Sequence, residues 1–239
     1  HAETGARALS TAEVEQVVED FVAAAVRAER AGFDGVEVHG AHGYLLAQFL
    51  SADANRRTDR YGGTLENRAR VITEIIAGVR RTCRPDFQLG LRLSPERWGM
   101  RLAEMRDLAA VLLDGGALDW LDLSLWDAAK QPEEAAFAAR PLLGWFTDLP
   151  RGHTRLGVAG KITTPRVALA MLDAGADFVL VGRTAILHAD WPERARDPAF
   201  TPARLPVQPA YLAEQGCGAR FIRYLHSYQN FVVAEQGAS

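Results

Sequence analysis

A helix-then-strand cadence recurs along this chain, and it restricts the fold more than any other feature. Ser10-Thr11-Ala12-Glu13 has the form of a capping box, in which a hydroxyl caps a backbone amide and a glutamate reaches back to the cap residue. Val14, Val17, Phe21, Ala24 and Ala28 then follow at helical spacing, Gly32 stops the helix, and 33–38 reads as a short strand. Gly116-Ala117-Leu118-Asp119 leads in the same way into a strand over 120–124, and Gly175-Ala176-Asp177 into one over 178–182. Two further strands are expected over 87–93 and 154–158, with helices over 65–81, 102–113 and 165–174. The last of these has Thr164 as its cap, Pro165 at its first position and Gly175 beyond its end. Helix–strand alternation of this kind produces parallel strands with helices outside them. Five parallel strands do not close a barrel, and closure is what removes unpaired sheet edges. Three strands are therefore missing from the chain, or another chain supplies them, or the sheet stays open as in a doubly wound fold.

The 239 residues suit one domain, taken as 1–239, with the proline-bearing segment 190–239 as a tail packed on it. A net charge of −3, from 27 basic and 30 acidic residues, lacks the concentrated positive field that nucleic acids or membrane surfaces require. No apolar run is long enough to span a membrane. The opening residues 1–5 have neither the basic nor the apolar part of a signal peptide. The two cysteines, Cys83 and Cys217, form no CxxC pair, and a reducing cytoplasm is the expected compartment.

In parallel α/β folds ligands bind beyond the carboxyl ends of the strands. After the first strand stands His39-Gly40-Ala41-His42-Gly43-Tyr44. Two imidazoles and a phenol there can hold an oxyanion and offer a proton. One structural histidine with a packed tyrosine is the competing reading, and a zinc site is a third. Arg92 interrupts an apolar strand, so it needs an anionic ligand or an internal partner such as Glu37. Gly160-Lys161 and Gly182-Arg183 end the last two strands, each pairing a small residue with a cation. In barrels this is where phosphate is often held, although two ordinary turns with solvated cations would look alike. No GxGxxG follows a strand, which sets aside a Rossmann nicotinamide site.

The run from Ala31-Gly32-Phe33-Asp34-Gly35-Val36-Glu37-Val38-His39-Gly40-Ala41-His42-Gly43-Tyr44, continuing through Asn55-Arg56-Arg57-Thr58-Asp59-Arg60-Tyr61-Gly62-Gly63 to Glu66-Asn67-Arg68, closely resembles the old yellow enzyme family. Residues 175–183 and Asp190-Trp191-Pro192 resemble the same family's closing segment, so the likeness covers roughly 10–195. The resemblance implies an α/β fold, the TIM (β/α)8 barrel, of which only strands four to eight are evident here. It also implies non-covalent FMN, reduced by NADH or NADPH, and reduction of activated C=C bonds in α,β-unsaturated carbonyl or nitro compounds. By position, His39 and His42 would bind the substrate oxygen and Tyr44 would donate the proton. Arg92 would sit at the flavin pyrimidine edge, and Gly160, Lys161, Gly182 and Arg183 would hold the FMN phosphate. Expected partners are a small enone-type substrate, with a further copy or a barrel-completing chain as the alternative. Relatives that demethylate amines or reduce dienoyl-CoA bear cysteine-bound clusters after the barrel, which the lone Cys217 does not allow.

Overall fold

Ser10 caps the first helix, α1 (Thr11–Arg30), as the capping box requires. Its hydroxyl accepts the Glu13 N–H at 3.2 Å, and the Glu13 carboxylate accepts the Ser10 N–H at 2.7 Å. Strand β1 (Gly35–Gly40) follows, then α2 (Leu45–Leu50) and the long α3 (Leu65–Thr82), capped by Thr64. The alternation continues through β2 (Gln88–Leu93), α4 (Leu102–Asp114), β3 (Trp120–Ser124), α5 (Gly144–Thr147) and β4 (Arg155–Ala159). Helix α6 (Pro165–Asp173), β5 (Phe178–Leu180) and α7 (Arg183–Leu187) complete the repeating part. Three short helices follow among the described residues: α8 (Trp191–Arg194), α9 (Pro209–Glu214) and α10 (Ala219–Leu225). This computed structural model describes residues 5–234; the opening residues 1–4, part of the segment read for a signal peptide, and the end of the tail lie outside it.

The strands lie in the order β1-β2-β3-β4-β5, every neighbouring pair parallel. A doubly wound sheet reverses its strand order at a switch point. Here the order runs in one direction without reversal, which is an arc of a barrel wall and excludes the doubly wound alternative. Element limits shift by one or two residues from expectation. The first strand runs Gly35–Gly40 rather than 33–38, the fourth Arg155–Ala159 rather than 154–158, and the fifth stops at Leu180 rather than 182, where Gly182 already caps α7.

The cadence has a physical cause in the aspartates that precede the strands. Asp119 Oδ2 accepts the Leu89 N–H at 2.7 Å, and Asp177 Oδ2 accepts the Leu156 N–H at 2.7 Å. Each carboxylate thus takes a backbone donor on the neighbouring strand and fixes the register there. Arg80 and Arg151 pair with the same two carboxylates from outside the sheet. Burial pushes the Asp119 carboxyl up, but the Arg80 and Leu89 bonds prevail and hold it below its ordinary value.

The two faces of the arc are chemically distinct. Val38, Leu89, Leu91, Leu93, Leu121, Leu123, Leu156 and Val158 face the helices and are buried against Ile72, Ile75, Ile76, Leu108 and Leu112. Each fully buried aliphatic side chain of this kind contributes on the order of 1.5–3 kcal/mol. The concave face is of mixed polarity. By alternation it carries Glu37, His39, Gly90, Arg92, Trp120, Asp122, Ser124, Gly157, Ala159 and Phe178. Large and small residues alternate across it. A Cβ on Gly90 would lie 1.9 Å from the Trp120 ring, and one on Gly157 would lie 2.3 Å from the Phe178 ring. The Trp120 indole crosses Gly90 and donates to Glu37 Oε2 at 2.8 Å, linking β3 to β1. In the tail, Trp191 joins the main core, while Val207, Leu212, Ile222, Leu225, Phe231 and Val232 gather with Leu187 into a second, smaller cluster.

Candidate active site

His39 ends its strand opposite Arg92 of β2, and Arg92 stands opposite Asp122 of β3. Three neighbouring strands therefore place an imidazole, a guanidinium and a carboxyl in one layer. Beyond β1 the chain turns sharply, with positive φ at His42 (61°) and Gly43 (72°), and the Tyr44 N–H donates back to the Ala41 carbonyl at 3.3 Å. Glycine is required at 43, where a Cβ would fall 2.7 Å from the Trp98 ring. The His42 N–H donates to Ser94 Oγ at 3.1 Å, tying this turn to the end of β2. The turn folds the histidines and tyrosine together: ring centroids are 5.0 Å apart for His39–His42 and 5.6 Å for His39–Tyr44. Burial first, and the Arg92 charge second, lower the proton affinity of both imidazoles. They are therefore neutral at pH 7, each with one N–H to donate.

A cavity of about 950 Å³ opens beside them, a size suited to a cofactor. Its wall includes His42, Arg92, Ser124, Gly160, Lys161, Gly182 and Arg183. The residues singled out from separate stretches of sequence thus converge, with His39 and Tyr44 joined to the wall through His42. Backbone strain collects at the same place. Of the six non-glycine residues with positive φ among the described residues, His42, Arg97, Trp98, Trp126 and Lys161 line this cavity. Such strain persists where the surrounding structure over-determines it, and it clusters at ligand sites.

Three details depart from the sequence reading. The internal partner of Arg92 is not Glu37, which is bound by Trp120, but Asp122, whose Oδ2 lies 2.8 Å from Nε. The Arg92 Nε–H itself donates to Ser124 Oγ at 2.7 Å. Gly160 is needed for its own chain rather than for a ligand alone, because a Cβ there would meet the Asp127 and Ala128 nitrogens at 2.9 Å. Lys161 Nζ is 3.1 Å from Asp127, whereas Arg183 makes no ion pair among the described residues, and the side of Gly182 is open. The sequence reading also passed over Asp122, Ser124, Trp98 and Trp126. For Asp122 the signal was available: a charge between Leu121 and Leu123 is as anomalous as Arg92 between Leu91 and Leu93.

The donor set fits FMN: Lys161 and Arg183 lie at the strand ends of β4 and β5, the backbone is open at Gly182, and Arg92, whose Nη groups take no hydrogen bond among the described residues, lines the same cavity from β2. The comparison with known proteins agrees. The model of the NADH:flavin oxidoreductase / NADH oxidase family matches residues 1–199. The chain belongs to that family. Among its members, the probable NADH-dependent flavin oxidoreductase YqiG of Bacillus subtilis is 35% identical over 80% of this chain and 53% of its own length. A putative 12-oxophytodienoate reductase-like protein of Arabidopsis thaliana is 51% identical over 80% of this chain and 59% of its own. Morphinone reductase, solved with tetrahydroNAD, superposes with a TM-score of 0.68 at 37% identity, covering 86% of this chain and 54% of that one. The chain spans about half the length of several relatives it matches. The old yellow enzyme resemblance read from the sequence is thereby established, and the five-stranded arc is part of a barrel of that family's type. No helix among the described residues is long and apolar enough to cross a membrane.

Proposed function

We propose that the protein reduces activated C=C bonds, in α,β-unsaturated carbonyl or nitro compounds, at the expense of NADH or NADPH. The observation that carries this reading is the clustering of His39, His42 and Tyr44 at the strand end that faces Arg92. When bound, FMN supplies hydride transfer between nicotinamide and substrate. The chain's own groups do the rest. His39 and His42 donate two N–H bonds to the carbonyl or nitro oxygen, which polarises the conjugated double bond and stabilises the negative charge that develops there. Tyr44 delivers a proton to the carbon opposite the one that receives hydride. Arg92 would bind the flavin ring system, and Lys161, Arg183 and the backbone of Gly160 and Gly182 would hold the phosphate.

An anaerobic assay of the full-length protein with cyclohexenone or an N-substituted maleimide tests this. The flavin absorbance should bleach with NADH or NADPH and return on adding the enone. An unbleached flavin, or one that the enone leaves reduced, would sink the reading.

The sheet edges support one further element of it. Among the described residues β1 pairs only with β2, and β5 only with β4. We infer that three more parallel strands close the barrel in the working protein, contributed by the same polypeptide or by another chain or copy. The free thiols Cys83 and Cys217 suit a cytoplasmic location.

A further inference from the structure

Asp122 is a carboxyl on the concave face that is fully buried, at 0% exposure. Neither of its oxygens receives a hydrogen bond among the described residues. Arg92 is its immediate charged neighbour, 2.8 Å away at Nε, yet the Nε–H is directed to Ser124 Oγ. A buried carboxylate without hydrogen bonds costs several kcal/mol unless a charge beside it compensates, so this arrangement calls for a reason beyond packing.

The geometry points to Asp122 as a positioning residue for Arg92: with Ser124 it holds the guanidinium by its Nε edge, leaves the Nη groups free toward the cavity, and sets how much net positive charge they present to an anionic group bound there. This rests on the reading that Arg92 faces the flavin. With Asp122 ionised, the pair is neutral overall and the field at the cavity is weak. With Asp122 protonated, the guanidinium charge acts unopposed. Burial pushes the Asp122 carboxyl up to about 7, Arg92 opposes this and Glu37 adds to it, so both forms are populated near neutrality. The charged or titratable groups facing it are Glu37 and His39 from β1 and Arg92 from β2; on β4 its partner is the uncharged Gly157. Linkage makes the relation reciprocal: negative charge gained next to Arg92 must raise the proton affinity of Asp122.

The experiment compares the full-length FMN protein with its Asp122→Asn variant by spectroelectrochemistry between pH 5.5 and 8.5. In the unmodified protein the preference for reduced over oxidised FMN should weaken as pH rises through 7, more steeply than flavin protonation alone requires. In the variant that extra dependence should vanish, and at pH 8 reduced FMN should be favoured about tenfold more than in the unmodified protein. Identical pH profiles would overturn the proposal. A second measurement needs no variant: infrared difference spectra on flavin reduction at pH 7 should show a buried carboxyl taking up a proton, and its absence also overturns the proposal. A third is independent of flavin. The melting temperature of the FMN-free protein should fall as pH rises toward 7 and level off above it, and this fall should be weaker in Asp122→Asn; equal slopes below pH 7 count against the assignment. If the flavin is absent or never bleaches, the functional reading fails while this last comparison still judges Asp122.

Discussion

At the residue scale, the proposed chemistry depends on His39 and His42, whose proton affinity burial lowers beside a permanent cation. Arg92 contributes to the lowered proton affinity of His39 and His42, and His39 contributes further at His42. Because the folded-state values lie below the ordinary 6.5, the stability that the neutral imidazoles contribute is present above pH 6.5 and is lost as pH falls through the lowered values. Replacing Arg92 with Met should raise both histidine titration midpoints toward 6.5, as read by NMR of the imidazole protons; unchanged midpoints would show that burial alone is responsible. Tyr44 is mostly exposed and lies 5.6 Å from His39 by ring centroid. The Tyr44→Phe variant should lose about 10²- to 10⁴-fold in the oxidative half-reaction. Enone binding and reduction by nicotinamide should stay within a few-fold, measured separately by stopped flow. Equal losses in both half-reactions would remove Tyr44 from the role of proton donor.

At the element scale, what holds the strands in place is local and repeated. Asp119 and Asp177 each secure a neighbouring strand by accepting its N–H, and this is why a glycine followed two or three residues later by aspartate marks these strand starts so well. Gly90 works in the other direction, by absence of a side chain. Its place under Trp120 lets the indole reach Glu37 across the strand between them. The Gly90→Ala substitution should destabilise the fold by about 1–3 kcal/mol, as overpacking does, and should alter the Trp120 fluorescence as the indole is displaced. A Gly90→Ala protein with unchanged denaturation midpoint would show that the arc yields more easily than the contacts indicate. The periodic helices and apolar strands could be read because period 3.6 and short β-branched or leucine-rich runs are written in consecutive residues. Strand limits could not, since a residue counts as strand only where a neighbour supplies its ladder, which for β1 begins at Gly35 opposite Gln88, and 182 is taken by the cap of α7.

At the scale of the whole molecule, the sequential parallel order leaves β1 and β5 with unpaired edges and a concave face of mixed polarity. Unpaired edges are templates for further pairing. The 239-residue chain prepared alone, of 26.1 kDa, should therefore self-associate in light-scattering measurements, and addition of the polypeptide that supplies the remaining strands should restore a defined species. A stable, flavin-free monomer at high concentration would show that the arc tolerates its open edges.

The sequence by itself determined the helix–strand repeat, the family, and six of the residues that line the cavity, because each of these is a local pattern or belongs to a contiguous motif such as His39-Gly40-Ala41-His42-Gly43-Tyr44. It left three matters to the tertiary structure. Strand order distinguishes a barrel arc from a doubly wound sheet, and no local pattern encodes order. The partner of Arg92 proved to be Asp122, 30 residues further along the chain, because register between β2 and β3 places them side by side while Glu37 is taken by Trp120. Gly160 proved to serve its own chain's close approach at 126–128. In each case the deciding quantity is a distance between segments remote in sequence, which only the folded chain fixes.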